Sequence, residues 1–261
     1  MANKIRKDRA QIVAKSNDLI RKTRYNLTAQ QQKIVLFAVS KIRPTDDVNQ
    51  SYEFSIAELC DACGLKVDAG GYYYRSIKDD LKKLTQREWC VMPDGSEKTM
   101  SWIGDADILP LRGTVIITFN KNMAPYLFDL RERYTSYRLE NVLVFKNKYA
   151  IRLYELLRSF TTKELLDKQV EREATFSVDE LRGLLDVRSY PRWADFNRFV
   201  IKKAVEEINT YSNDIHIEYS LRRVDRARNI EKVIFTINSP RLLDFVNTRA
   251  NFMGRMGHTP T

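Results

Sequence analysis

The sequence predicts an α+β fold of two tandem winged-helix domains related by internal duplication. Three observations carry that prediction: the phrase FSIAEL at Phe54–Leu59 returns as FSVDEL at Phe176–Leu181, the order of helices and strands around it repeats, and the second copy turns its last hairpin through a cluster of arginines.

In both phrases a serine stands three residues before a glutamate. That is the capping-box spacing, in which each side chain bonds the other residue's backbone N–H at a helix start. Short alternating segments, SYEF before Ser55 and REATF before Ser177, read as strands ending in a core phenylalanine. A longer amphipathic helix follows each cap, YYYRSIKDDLKKL from Tyr72 and PRWADFNRFVIKKAVEEI from Pro191. Strand-like segments around a turn come next. In the first copy REWCVM and KTMSWI flank Pro93-Asp94-Gly95, with TVIITF beyond; in the second IHIEYSL and EKVIFTI flank RRVDRARN. A further helix precedes each unit, LTAQQQKIVLFAVSKI with Thr28 and Gln31 at capping-box spacing, and KYAIRLYELLRSF. Helix, strand, helix, helix and hairpin is the order of a winged helix. Unrelated α+β domains that share a common cap are the alternative.

These elements divide the chain into a basic N-terminal arm (1–25), two winged-helix domains (26–130 and 131–240) and a tail (241–261). Two domains also suit the length, each large enough to bury its own core. Hydrophobic residues at 43% and charged residues at 30% describe a soluble globular chain. No apolar run approaches the roughly 20 residues that span a bilayer. The opening MANKIRKDRAQIVAKSNDLIRKTR lacks the apolar core and cleavage site of a secretory signal, so a cytoplasmic location is expected.

A net charge of +10 and a pI near 9.4 point to a polyanionic partner, because each lysine or arginine set on a phosphate releases condensed counterions. Where the charges cluster decides whether that reading holds. At 100° per residue, Trp193, Phe196, Val200, Ala204 and Ile208 fall on one side of the second-copy helix. Arg192, Arg198 and Lys202 fall on the other, beside Asp195 and Glu206. Arg188 and Tyr190 occupy the turn before this helix, and Arg222, Arg223, Arg226 and Arg228 put four arginines into seven residues at the hairpin tip. In a winged helix these features converge on one end of the domain, with the helix in a major groove and the wing on phosphates or an adjacent minor groove. The expected partner is double-stranded DNA.

The first-copy helix buries Tyr74, Ile77, Leu81 and Leu84 and leaves Arg75, Lys78, Asp79 and Lys82 outside. Its wing is less basic. DNA contact, a solvated face and a protein contact through Trp89, Trp102 and Tyr72 to Tyr74 all fit it.

Three stretches, SNDLIRKTRYNLTAQQQKIVLFAVSKI, NKYAIRLYELLRSF and SYPRWADFNRFVIKKAVEEIN, resemble the hallmark segments of plasmid replication initiator proteins of the Rep_3 superfamily, over residues 12 to 240. The resemblance implies an initiator that binds repeated origin sites, iterons, as a monomer and represses its own promoter as a dimer joined through the N-terminal winged helix. It centres DNA recognition on Arg188 to Asn209. Host replication initiator and replicative helicase are the further partners it implies. The same chemistry without an origin is the alternative, a double winged-helix transcriptional repressor.

Enzymatic chemistry finds no footing in the residues. A rolling-circle nicking enzyme needs a His-x-His-like metal pair, whereas His216 and His258 stand far apart, and no GxxxxGK[ST] binds a nucleotide. Cys60 and Cys63 form a CxxC without two further zinc ligands at suitable spacing, and with Cys90 they read as free thiols. No metal or cofactor is expected.

Overall fold

Part of the stretch expected to be a basic arm is folded into the first unit. The computed structural model describes residues 11–65, 72–92, 94–162, 165, 167–168, 170–223 and 230–238. Ile12–Ser16 form strand β1, and Asn17–Lys22 form helix α1, capped by the Ser16 hydroxyl. Val13, Leu19 and Ile20 are buried, so the arm contributes to the core from Val13 onward. The rest of the arm and the tail at 241–261 lie outside the described residues.

Helix α2 (Ala29–Val39), strand β2 (Ser51–Ser55), helix α3 (Ile56–Cys63) and helix α4 (Tyr72–Thr85) follow in the expected order. Capping boxes close on Thr28 with Gln31 and on Ser55 with Glu58. Gly64 ends α3 at φ 69°, a left-handed position that glycine takes without strain. Asp80 on α4 accepts from Gln31 Nε2 at 2.9 Å, which ties α4 to the cap of α2.

The first wing is not where the sequence suggested. Strands β3 (Glu88–Val91) and β4 (Glu97–Met100) do pair around a turn at Asp94 and Gly95, with Pro93 outside the described residues, but as a separate two-stranded sheet. Arg24 and Val91 exchange backbone bonds at that sheet's edge. The winged-helix sheet is β2-β6-β5, built from β5 (Ile103–Leu109) and β6 (Thr114–Phe119), and its hairpin turns through Pro110–Arg112. Gly104, Asp105 and Asp107 break the apolar alternation of β5, which hid it in the sequence. Trp102, expected as aromatic surface, is 7% exposed and meets Tyr25 edge to face.

The chain continues through short helix α5 (Ala124–Leu127), strand β7 (Tyr134–Arg138), short helix α6 (Glu140–Leu143) and helix α7 (Lys148–Arg158). Strand β7 pairs antiparallel with β1. The second unit then repeats the first: β8 (Arg172–Ser177), α8 (Val178–Leu184), α9 (Trp193–Phe196), a π-helical turn over Asn197–Ile201, α10 (Lys202–Tyr211), β9 (His216–Arg223) and β10 (Ile230–Asn238). Its sheet order, β8-β10-β9, is that of the first unit. The duplicated phrase keeps even its register: Phe54 faces Val115, and Phe176 faces Val233. Burying each phenylalanine anchors strand to helix by about 1.5–3 kcal/mol.

One buried polar cluster joins β1, β7 and α7. Lys15 Nζ lies 2.5 Å from Glu155 Oε1, with 2% and 1% of the side chains exposed. The Tyr137 hydroxyl donates to the same oxygen, and Arg152 Nη1 lies 3.8 Å from Oε2. Arg152 also donates to the Tyr25 hydroxyl at 2.6 Å and to the carbonyls of Ile20, Thr23 and Leu184. Burial and the Glu155 carboxylate together hold the Tyr137 hydroxyl protonated, its pKa well above the usual phenol range. Through Arg152 the second unit's α8 is fastened to the chain's first helix.

Candidate nucleic-acid interface

Helices α9 and α10, with the π-turn between them, form one rod whose inner side is core: Phe196, Val200, Ile201, Ala204 and Ile208 are all 0% exposed. The extra residue of the π-turn lets Val200 and Ile201 point inward together, so Ile201 joins a stripe that regular helical spacing leaves out. Arg192 is the N-cap of this rod, with Pro191 before it. Arg192, Arg198, Lys202 and Lys203 stand exposed on its outer side with Glu206.

The turn before the rod is held in an unusual backbone. Asp186 and Tyr190 take positive φ values of 47° and 61°, where non-glycine residues are uncommon. Arg182 fixes the second of these: its Nη1 donates to the Tyr190 carbonyl at 2.7 Å and its Nη2 to that of Pro191 at 3.2 Å. The Arg182 guanidinium lies 4.2 Å over the Phe196 ring. Tyr190 then stacks on Phe199, with centroids 5.2 Å apart.

Hydrogen bonds fix how the wing runs relative to the rod. Asn209 Nδ2 donates to the Ile217 carbonyl, and the Ile217 N–H donates back to Asn209 Oδ1. Two residues along β9, the Tyr219 hydroxyl donates to Asn197 Oδ1 at 2.8 Å. The strand therefore heads toward the N-terminal half of the rod. Arg222 and Arg223, both exposed, lie further along it, on the side of Arg188, Tyr190 and Arg192. Helix, turn and wing cations share one end of the unit. Arg226 and Arg228 lie outside the described residues.

Several of these cations already have partners. Arg188 pairs with Asp186 at 3.3 Å, Lys202 with Glu206 at 3.8 Å and Arg222 with Glu231 at 3.3 Å. No carboxylate among the described residues pairs with Arg192, Arg198 or Arg223. The Lys202 and Arg222 pairs are exposed on both sides, and such pairs are worth about 0–1 kcal/mol, so a phosphate displaces them at little cost.

On the first unit, Arg75, Lys78 and Lys82 are exposed along α4 as expected, and Lys83 joins them. Tyr74 is half-buried, where full burial was expected. The wing tip stays level with the cap of α3, since Leu109 pairs with Thr114 and Thr114 with Ser55. The second wing instead extends past the Ser177–Lys232 pair to Arg223 and Ile230. Leu111 at the first tip is fully exposed, at 104%.

Sequence reasoning missed Phe199, Lys203, Lys83 and Arg182. The first three were readable from the same angular spacing that gave their neighbours. Arg182 was not, because its targets are backbone carbonyls across a loop.

No group of three or more His, Cys, Asp or Glu among the described residues is placed to hold a metal ion. Burial pushes the Cys63 thiol up to about 12 and Cys90 to about 11, and it raises Cys60 too. Among the described residues no helix is long and apolar enough to cross a membrane.

The fold is a double winged helix. Residues 12–158 match the family described as Initiator Replication protein, WH1, and residues 177–237 match Initiator Rep protein, WH2. The chain belongs to this family of initiator replication proteins. A replication initiation protein of Escherichia coli is 26% identical over 247 residues, spanning 92% of this chain and 73% of that protein. The Pi initiator protein, solved in complex with iteron DNA, shares the fold at 18% identity, with a TM-score of 0.73 over 90% of this chain and 99% of that one.

Proposed function

We propose that the chain is a plasmid replication initiator that binds direct repeats in duplex DNA through the α9–α10 rod and its wing. The observation that carries this reading is the convergence of Arg188, Arg192, Arg198, Arg222 and Arg223 on one end of the second unit. The rod offers outward side chains to a major groove while the wing reaches flanking phosphates. Asp195 and Glu206 on the same side suit acceptance from cytosine N4 or the holding of an arginine. The iteron DNA bound by the Pi initiator protein supports the choice of ligand.

In this reading residues 131–240 do the main recognition, and 26–130 add auxiliary DNA contact and the dimer interface, with Arg75, Lys78 and Lys82 on phosphates. The longer, more basic second wing supports that division. The dimer represses the protein's own promoter, and host replication initiator and replicative helicase are recruited once the repeats are bound and bent. The work is binding and deformation in the cytoplasm rather than catalysis.

Footprinting on the DNA flanking the gene tests the reading. Protection of directly repeated sites is expected, and protection of a lone inverted repeat would identify a repressor instead.

A further inference from the structure

Phe199 occupies a position where a merely solvated helix carries a polar side chain. It lies within the π-turn but outside the core stripe, where Phe196, Val200 and Ile201 are fully buried. It is half-buried, and Tyr190 stacks on it with planes 26° apart. Arg198 Cζ lies 5.2 Å and Lys203 Nζ 5.5 Å from its ring centroid. An apolar pair thus sits among cations on the side that the proposed function turns toward DNA. Tyr190 is kept there in a left-handed backbone by two bonds from Arg182, itself packed over Phe196.

We propose that Phe199, buttressed by Tyr190, is a specificity-determining residue that packs against the 5-methyl group of a thymine in the major groove. The inference rests on the reading that the rod enters that groove. Neither a phosphate nor the hydrogen-bonding edge of a base gains from a phenyl ring. The thymine methyl is the apolar feature of the major groove, and phenylalanine is among the side chains that contact it. The flanking cations place phosphates to either side. A ring already stacked and held loses little freedom on binding, which favours reading over adaptable contact.

The test uses the full chain and a duplex recovered with it from a randomised pool. Each thymine is replaced in turn by deoxyuridine, which removes the methyl and leaves O4 and the pairing edge. One replacement should weaken the parent protein about fourfold, the worth of one buried methyl group. Phe199→Ala should be indifferent to that replacement while keeping the parent's salt dependence. Phe199→Gln, which keeps a good helix former at the position, makes the same comparison should the alanine variant fail to fold. The proposal is overturned if no thymine replacement matters, or if the variants retain the penalty. Failure of the underlying reading looks different: duplex binding insensitive to salt, or Arg198→Ala and Lys202→Ala binding as well as the parent.

Discussion

Glu155 serves two cations and a phenol from one carboxylate, buried with Lys15 and Arg152. Removing one partner of a buried pair leaves the other charge without compensation, at a cost of about 3–5 kcal/mol. Glu155→Ala should lose that much in urea unfolding, and a loss within the ordinary range for surface sites would show the cluster to be dispensable. Arg198 and Arg223 test a different chemistry. Arg198→Ala should weaken binding to the selected duplex by about 1–3 kcal/mol and relax its sequence preference, if the lost contact is a bidentate base pairing. Arg223→Ala should weaken all duplexes alike, because phosphate contacts carry no sequence information. Competition titrations against unrelated DNA separate the two, and equal loss of preference from both would reverse the roles assigned to helix and wing. Arg198 was legible in the sequence because helical periodicity put it outside the apolar stripe, and the π-turn leaves it exposed there. Lys15 was not: in QIVAKS it reads as one more cation of a basic arm, and its counterion stands far along the chain at Glu155.

At the scale of the element, the contact between α2 and α4 contains a titratable group. Burial lifts the Asp80 carboxyl above the usual 3.8, and the Gln31 bond opposes the lift without cancelling it. A carboxyl whose folded pKa lies above its unfolded one holds its proton longer in the folded chain, so stability falls as pH rises from 3.8 through the folded value. Asp80→Asn should flatten that part of the curve, since the amide oxygen still accepts from Gln31 and carries no charge. Urea midpoints across the acid range check this, and an undiminished slope in the variant refutes it. The sequence revealed α2, α3 and α4 through their caps and apolar spacing, which are local signals. It concealed the first wing, because two hairpins follow α4 and the choice between them rests on which one β2 pairs with, a contact made at a distance. The π-turn at Asn197–Ile201 was also concealed, since its extra residue appears only as one more apolar letter, Ile201.

For the whole molecule the expected behaviour is asymmetric binding. Two winged helices in one chain can each occupy a groove face about one helical turn apart, so a monomer should protect about 20 bp of a direct repeat without twofold symmetry. Affinity should fall with salt at a log–log slope of about −0.9 per phosphate neutralised. Footprinting with light scattering across a salt series measures both. Dimers alone on direct repeats, or affinity flat in salt, would remove the monomer mechanism. The pairing of β1 with β7, and of Lys15 with Glu155, also bears on how the chain is made. Strand β1 emerges from the ribosome well over a hundred residues ahead of its partner strand and its counterion. At ~5–20 residues per second that interval is roughly 7–28 s. Throughout it the nascent first unit carries an unpaired strand edge and a lysine with no acid to meet, so its folding cannot finish until α7 has been translated.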